Sequence, residues 1–187
     1  IIKNLKTTKS QEQRTHILFG LADVYKLQFN YNKSGRYYSQ AYDIIKKVNN
    51  VQLEFLYHVK IAEFYRKRAM HYEFEIELNK AEKILKVHKI KDKYKTKYYN
   101  RKAALFTERY QNNDSTLFYA NKSLELAKKI NDNENVFYSL LEIASVYESK
   151  KDYKTSIDYI EELIELPKKN NMIPQQRHIV TAYGRDF

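Results

Sequence analysis

Leu18-Phe19-Gly20-Leu21-Ala22-Asp23-Val24-Tyr25 is the stretch from which the fold can be read. Its skeleton is a large residue, then large-small three and four positions on, then an aromatic at the seventh. The skeleton returns as His58-x-x-Ile61-Ala62-x-x-Tyr65 and as Asn100-x-x-Ala103-Ala104-x-x-Thr107. It returns again as Leu140-x-x-Ile143-Ala144-x-x-Tyr147 and, at the end, as Val180-x-x-Tyr183-Gly184-x-x-Phe187. The small residue falls at 22, 62, 104, 144 and 184, in steps of 40, 42, 40 and 40. Spacings of i, i+3, i+4 and i+7 share one helical face. The small residue lets a second helix approach closely, and the aromatic one turn on fills the space beyond it.

A partner helix is visible at fixed offsets. Twelve residues after the small position stand Ser34, Phe74, Thr116 and Ser156, and nineteen after it Ala41, Ala81, Ser123 and Leu163. Small side chains dominate both sets, with Phe74 and Leu163 as departures. Polar turns separate the two helices at Asn30-Tyr31-Asn32-Lys33, Asn112-Asn113-Asp114 and Lys150-Lys151-Asp152-Tyr153. Others follow the second helix at Val48-Asn49-Asn50, Ile90-Lys91-Asp92, Ile130-Asn131-Asp132 and Asn170-Asn171. Asn and Asp there tolerate left-handed backbone and cap the next helix. The unit is a helical hairpin.

Composition agrees. The 187 residues hold 3 Gly and 2 Pro, too little punctuation for a turn-rich β fold or a Gly-rich phosphate loop. The absence of Cys excludes disulfides, Cys-ligated metal and a thiolate nucleophile in these residues. No apolar run approaches the roughly 18 residues of a membrane span, and no signal peptide is read. The first residue is Ile1 rather than Met, so the chain is expected to be a piece of a longer polypeptide.

The pattern resembles the tetratricopeptide repeat, whose signature is a large residue, Leu-Gly/Ala and Tyr in helix A with two small positions in helix B. Lys151-Asp152-Tyr153-Lys154-Thr155-Ser156-Ile157-Asp158-Tyr159 reads almost as that family's turn. The resemblance implies an all-α, right-handed superhelical solenoid of antiparallel hairpins. The unit here exceeds the usual length of about 34 residues, which suggests that each helix B is longer by about a turn. The repeats are placed at 15–52, 55–94, 97–134 and 137–171. Residues 1–9 would end a preceding helix B, and residues 174–187 would form helix A of an incomplete fifth repeat. Residues 55–94 fit least well, because of His58, Phe74 and the two-residue excess. Asn100 and Thr107 stand where large apolar residues are usual.

In this family helices A line a concave groove that binds a protein or peptide. Carried over position by position, the groove residues are Phe19, Asp23 and Lys26, then Val59, Lys60, Glu63, Arg66 and Lys67. The third repeat supplies Tyr98, Arg101, Lys102, Leu105 and Arg109, and the fourth Tyr138, Leu141, Glu142 and Ser145. The middle of this set is basic with flanking aromatics, suited to an acidic or carboxylate-ending peptide. The carboxylate clamp of the chaperone-binding subclass is not reproduced, since Asp23, Glu63 and Leu105 replace its Asn residues. Exposed aromatics at Phe19, Tyr98 and Tyr138 would permit self-association. The stretch 113–132 also looks like units of long-period arrays in bacterial signalling proteins, where they precede a membrane helix and histidine kinase or a helix-turn-helix output domain. That implies a sensory or regulatory segment, periplasmic if it serves a membrane kinase or regulator and cytoplasmic otherwise.

The net charge of +11 concentrates between Lys86 and Lys102, where Asp92 is the one acid among Lys86, Lys89, Lys91, Lys93, Lys95, Lys97, Arg101 and Lys102. Interleaved Tyr94, Tyr98 and Tyr99 give it the look of a nucleic-acid surface. Lys outnumbers Arg 26 to 8, however, and Arg is the better stacking and bidentate group. A solvated turn between repeats is the preferred reading. His16, His58, His71, His88 and His178 have no metal-binding spacing, and Gly20, Gly35 and Gly184 are isolated. The His71-x-Glu73-x-Glu75 alternation diverges around a helix, and His58 reads as a packed structural histidine. No enzyme, cofactor or metal is expected, nor membrane contact by this segment.

Overall fold

In a computed structural model the described residues are 10–169, and eight α-helices account for nearly all of them. They are α1 (Gln11–Leu27), α2 (Tyr31–Val48), α3 (Val51–Arg66), α4 (His71–Val87), α5 (Asp92–Leu105), α6 (Asn113–Lys129), α7 (Asn133–Ser149) and α8 (Tyr153–Lys169). Among the described residues there is no strand. The segments expected at 1–9 and 174–187 lie outside the described residues. The chain divides into two compact units, Ile1–Ile90 and Lys91–Phe187. Each unit is a pair of antiparallel hairpins: α1–α2 and α3–α4 in the first, α5–α6 and α7–α8 in the second. The fold is all-helical, of the helical-solenoid class.

The repeat positions explain the hairpins. Ala22, Ala62, Ala104 and Ala144 are all at most 1% exposed. The Ser34 hydroxyl donates to the Ala22 carbonyl at 2.9 Å, and Ser156 to that of Ala144 at 3.1 Å, twelve residues back in both. A small residue on helix A thus opens its backbone to a small hydroxyl on helix B, fixing how close the helices come. One turn on, Tyr25 stacks on Tyr37 with ring centroids 5.5 Å apart, and Tyr147 on Tyr159 at 5.8 Å. Phe74 and Leu163, the two large departures, are fully buried.

Side chains cap six helices: Ser10, Asn30, Asn50, Asn112, Asp132 and Asp152 each accept a bond from the first turn that follows. Met70 and Lys91 offer no such cap to α4 and α5. Asn49 and Asn131 are left-handed, as their residue type suggests. The same conformation falls on Phe29, Ala69, Gln111 and Lys151 inside the four hairpin turns, where nothing in the residue type announces it. These turns close with a bond from the residue after the left-handed one back five positions: Asn30 to Tyr25, Met70 to Tyr65, Asp152 to Tyr147.

Hairpin α5–α6 departs from this rule. Helix α5 widens into a π-helical turn, Phe106–Tyr110, and Asn112 reaches back six positions to the Phe106 carbonyl at 3.0 Å. Thr107 stands here in the usual aromatic place, its hydroxyl 3.2 Å from that of Thr116 on α6. With no ring at 107, Phe106 turns to stack on Tyr119 at 5.4 Å, with planes only 8° apart.

Candidate partner-binding surface

In the first unit the surface is built by α1, α2 and α3. Asp23 on α1 accepts from the Tyr38 hydroxyl of α2 at 2.6 Å and from Lys26 at 3.0 Å through the same oxygen. Its other oxygen accepts from Lys60 on α3. Burial alone would raise the Asp23 carboxyl; Lys60, Lys26 and the Tyr38 bond outweigh it and hold it well below the usual carboxylate range. Burial pushes the Lys26 ammonium down, against the pull of Asp23 and Glu63. The Lys60 ammonium also lies 5.6 Å above the Phe19 ring. Glu63 pairs with Arg66 at 3.3 Å, and Lys67 is exposed. Lys26, Lys60, Glu63 and Arg66 are therefore engaged with carboxylates or cations of this unit.

Beneath that surface a buried polar pair crosses from α3 to α4. His58 Nδ1 lies 2.6 Å from Glu77, whose second oxygen accepts from Lys80 at 2.7 Å. Burial of Glu77 is outweighed by these two bonds, and its carboxyl sits below the ordinary value. His58 is a packed structural histidine.

In the second unit, α5 and α7 are tied by polar groups. Asn100 donates to Asn135 Oδ1 at 2.7 Å and accepts from Ser139 at 2.9 Å, while Asn135 donates to Asp132 at 2.6 Å. Thr107 donates to Glu142 at 2.8 Å. The Arg101 guanidinium lies 5.9 Å from the Tyr138 ring, the Lys102 ammonium 5.9 Å from Tyr119, and Arg109 5.7 Å from Tyr110. Within the basic run Lys95 reaches Asp92, which Lys129 also reaches, and Lys97 reaches Glu134.

Residues 105–173 match the model of the SusR N-terminal TPR domain. Over those residues the chain carries a tetratricopeptide-repeat domain. No curated protein matches it. Among solved structures it resembles a Signal Transduction ATPase with Numerous Domains (STAND) protein with a tetratricopeptide repeat sensor from Pyrococcus horikoshii. That likeness has 19% identity and a TM-score of 0.66, over 94% of this chain and 28% of that one. It also resembles BtubC from P. vanneervenii, with 12% identity and a TM-score of 0.63, over 88% of this chain and 67% of that one. At these identities both show the fold alone.

The tetratricopeptide positions divide by burial. Phe19, Val59, Tyr98 and Leu105 are at most 3% exposed and belong to the interior. The expectation of exposed aromatics at Phe19 and Tyr98 is therefore corrected: Phe19 is covered by Tyr38 and Lys60, and Tyr98 is 2% exposed. Tyr138 and Leu141 are half-buried against the core of α7 and α8. What reaches solvent is polar: Asp23, Lys26, Lys60, Arg66, Lys67, Arg101, Arg109, Glu142 and Ser145 in part or whole. Sequence reasoning missed Tyr38, whose hydroxyl completes the Asp23 site from helix B. Its signal was present, since a Tyr four residues after Ser34 lies on the same buried face. Among the described residues no group of three or more His, Cys, Asp and Glu is placed to hold a metal. Nor is any helix long and apolar enough to cross a membrane.

Proposed function

We propose that this chain is a protein- or peptide-binding module that meets its partner through the helices A of its hairpins, each unit presenting its own pair. We propose further that it forms the sensory or regulatory region of a larger bacterial signalling protein. The observation that carries the first part is the join between successive helices A. Asp23–Lys60 links α1 to α3, and Thr107–Glu142 links α5 to α7, so partly exposed polar groups are held in place before any partner arrives. Helical arrays commonly use this face for recognition. The second part draws on the matched family model and on a neighbour whose own description includes a tetratricopeptide sensor.

An acidic partner would meet Arg101 and Arg109, each resting on a tyrosine ring. Fluorescein-labelled acidic hexapeptides with free carboxyl termini test this by anisotropy. At least one should bind, and Arg101→Glu with Arg109→Glu should weaken it tenfold or more without changing the helical circular dichroism. Unchanged affinity would remove the acidic partner from the reading. Sequencing the parent reading frame tests the sensor role. A kinase or DNA-binding domain downstream supports it, and a stop with no output domain makes the module a freestanding adaptor.

A further inference from the structure

Asp23 sits in a setting built for someone else's carboxylate. Two ammonium groups and a phenol converge on it from three helices, Tyr38 and Lys26 on one oxygen and Lys60 on the other. Charged donors arrayed around one carboxylate are how proteins hold anions. The Lys60 side chain is only 21% exposed and that of Lys26 11%, so neither ammonium is fully compensated by water. The carboxylate itself is 30% exposed. It stands at the solvent edge of the surface, in the place an incoming acid would take.

We infer that Asp23 is an internal occupant of an anion site formed by Lys26, Lys60 and Tyr38, and that it closes the helix-A surface of the first unit to acidic ligand groups. Formally, the site holds two cations against one anion, with Glu63 and Arg66 pairing beside it. A second carboxylate arriving there meets Asp23 and Glu63 and finds both lysines engaged. A basic side chain meets Lys26 and Lys60, and only a neutral one escapes both penalties. The first unit thereby selects partner segments of neutral chemistry. The biological meaning rests on the helix-A surface being the partner face; the chemistry of the site does not.

Two measurements on the full chain test it. Asp23→Ala removes the occupant and leaves the two ammonium groups facing an empty place, which sodium formate can fill. Formate at 50 mM should raise the melting temperature of Asp23→Ala by several degrees more than sodium chloride at equal ionic strength. The wild type should respond to both salts alike. If the variant is unfolded in chloride, the same effect is read as recovery of the helical signal in formate. Second, a fluorescein-labelled hexaglutamate peptide should bind Asp23→Ala, and the milder Asp23→Asn, at least tenfold more tightly than wild type. Adding Lys60→Met should abolish that gain, and Arg101→Glu with Arg109→Glu should leave it intact, which separates this site from the acidic-partner reading. The inference is overturned if formate and chloride act alike on the variant. It is overturned equally if wild type binds hexaglutamate through Lys60 as tightly as Asp23→Ala does.

Discussion

Hairpins α1–α2 and α7–α8, one in each unit, have interiors of the same kind, and hairpins α3–α4 and α5–α6 fill the same positions with different chemistry. Leu18 and Leu140 are buried apolar residues, while their equivalents are His58 and Asn100, also buried. The flanking ring pairs Tyr25–Tyr37 and Tyr147–Tyr159 correspond to Tyr65 with Glu77 and to Thr107 with Tyr119. Each unit thus joins one apolar, ring-stacked hairpin to one organised around buried hydrogen bonds. The polar versions survive because they are satisfied: His58 by Glu77, Asn100 by Asn135 and Ser139. What this fold requires at the position is a filled volume with no orphaned group, and a leucine is only the simplest way to provide it.

The sharpest way to break this comparison is to exchange the chemistry without its partners. Leu140→Asn places an amide among Val136, Phe137 and Leu163, with no donor or acceptor arranged for it. A loss of about 3–5 kcal/mol is expected from urea unfolding, combining lost burial with an unpaired amide. Asn100→Ala should cost less, about 2–3 kcal/mol, because it opens a small cavity and takes the donor from the buried Asn135 Oδ1, while the Ser139 hydroxyl keeps the Asn135 carbonyl. Ser139→Ala, which removes a single bond, should cost about 1 kcal/mol. A smaller loss at Leu140 than at Asn100 would mean that the apolar hairpin tolerates polarity by itself.

The α3–α4 pair adds a dependence on pH of its own. The Glu77 carboxyl lies below its ordinary value in the fold, so the unfolded chain takes up the proton first as acid is added. Its contribution is fully present above the unfolded value near 4.5 and is lost as pH falls through the depressed folded one. Unfolding free energies measured between pH 3 and 7 should fall less steeply towards acid in Glu77→Gln than in wild type. Parallel curves would show that the His58–Glu77 bond contributes no linkage. The smallest effect is expected at Ala69, left-handed at φ 55° and exposed. Ala69→Gly relieves the contact between Cβ and the backbone and should raise stability by about 0.5–1 kcal/mol, net of the entropy that glycine adds to the unfolded chain.

Much of this was legible from residues alone. Ala22, Ala62, Ala104 and Ala144, with Ser34 and Ser156 at their fixed offset, specify the hairpin and its close approach before any coordinate is consulted. Asn100 and Thr107 also announced themselves as misfits. Their partners did not, because Asn135, Ser139 and Glu142 lie 35 to 39 residues away and polar residues on a helix are ordinary. The π-helical turn and the stacking of Phe106 on Tyr119 are likewise nothing that a periodicity records. The left-handed Phe29, Ala69, Gln111 and Lys151 were hidden for a simpler reason: a chain this poor in glycine places the conformation by geometry and not by residue type. The Asp23 site was half visible, its charges in the sequence and its self-neutralisation only in the packing.

The span of those hydrogen bonds carries a consequence of its own. The longest, Ser139 to Asn100, closes 39 residues, and the hairpin bond from Ser34 to Ala22 closes only 12. A chain held together by such near neighbours has little loop-closure entropy to overcome, and folds of low contact order reach the native state quickly. Emerging from a ribosome, each hairpin has its partner groups in hand as soon as it is complete, and it waits for nothing further down the chain than the next one. Order of synthesis and order of assembly then run in the same direction.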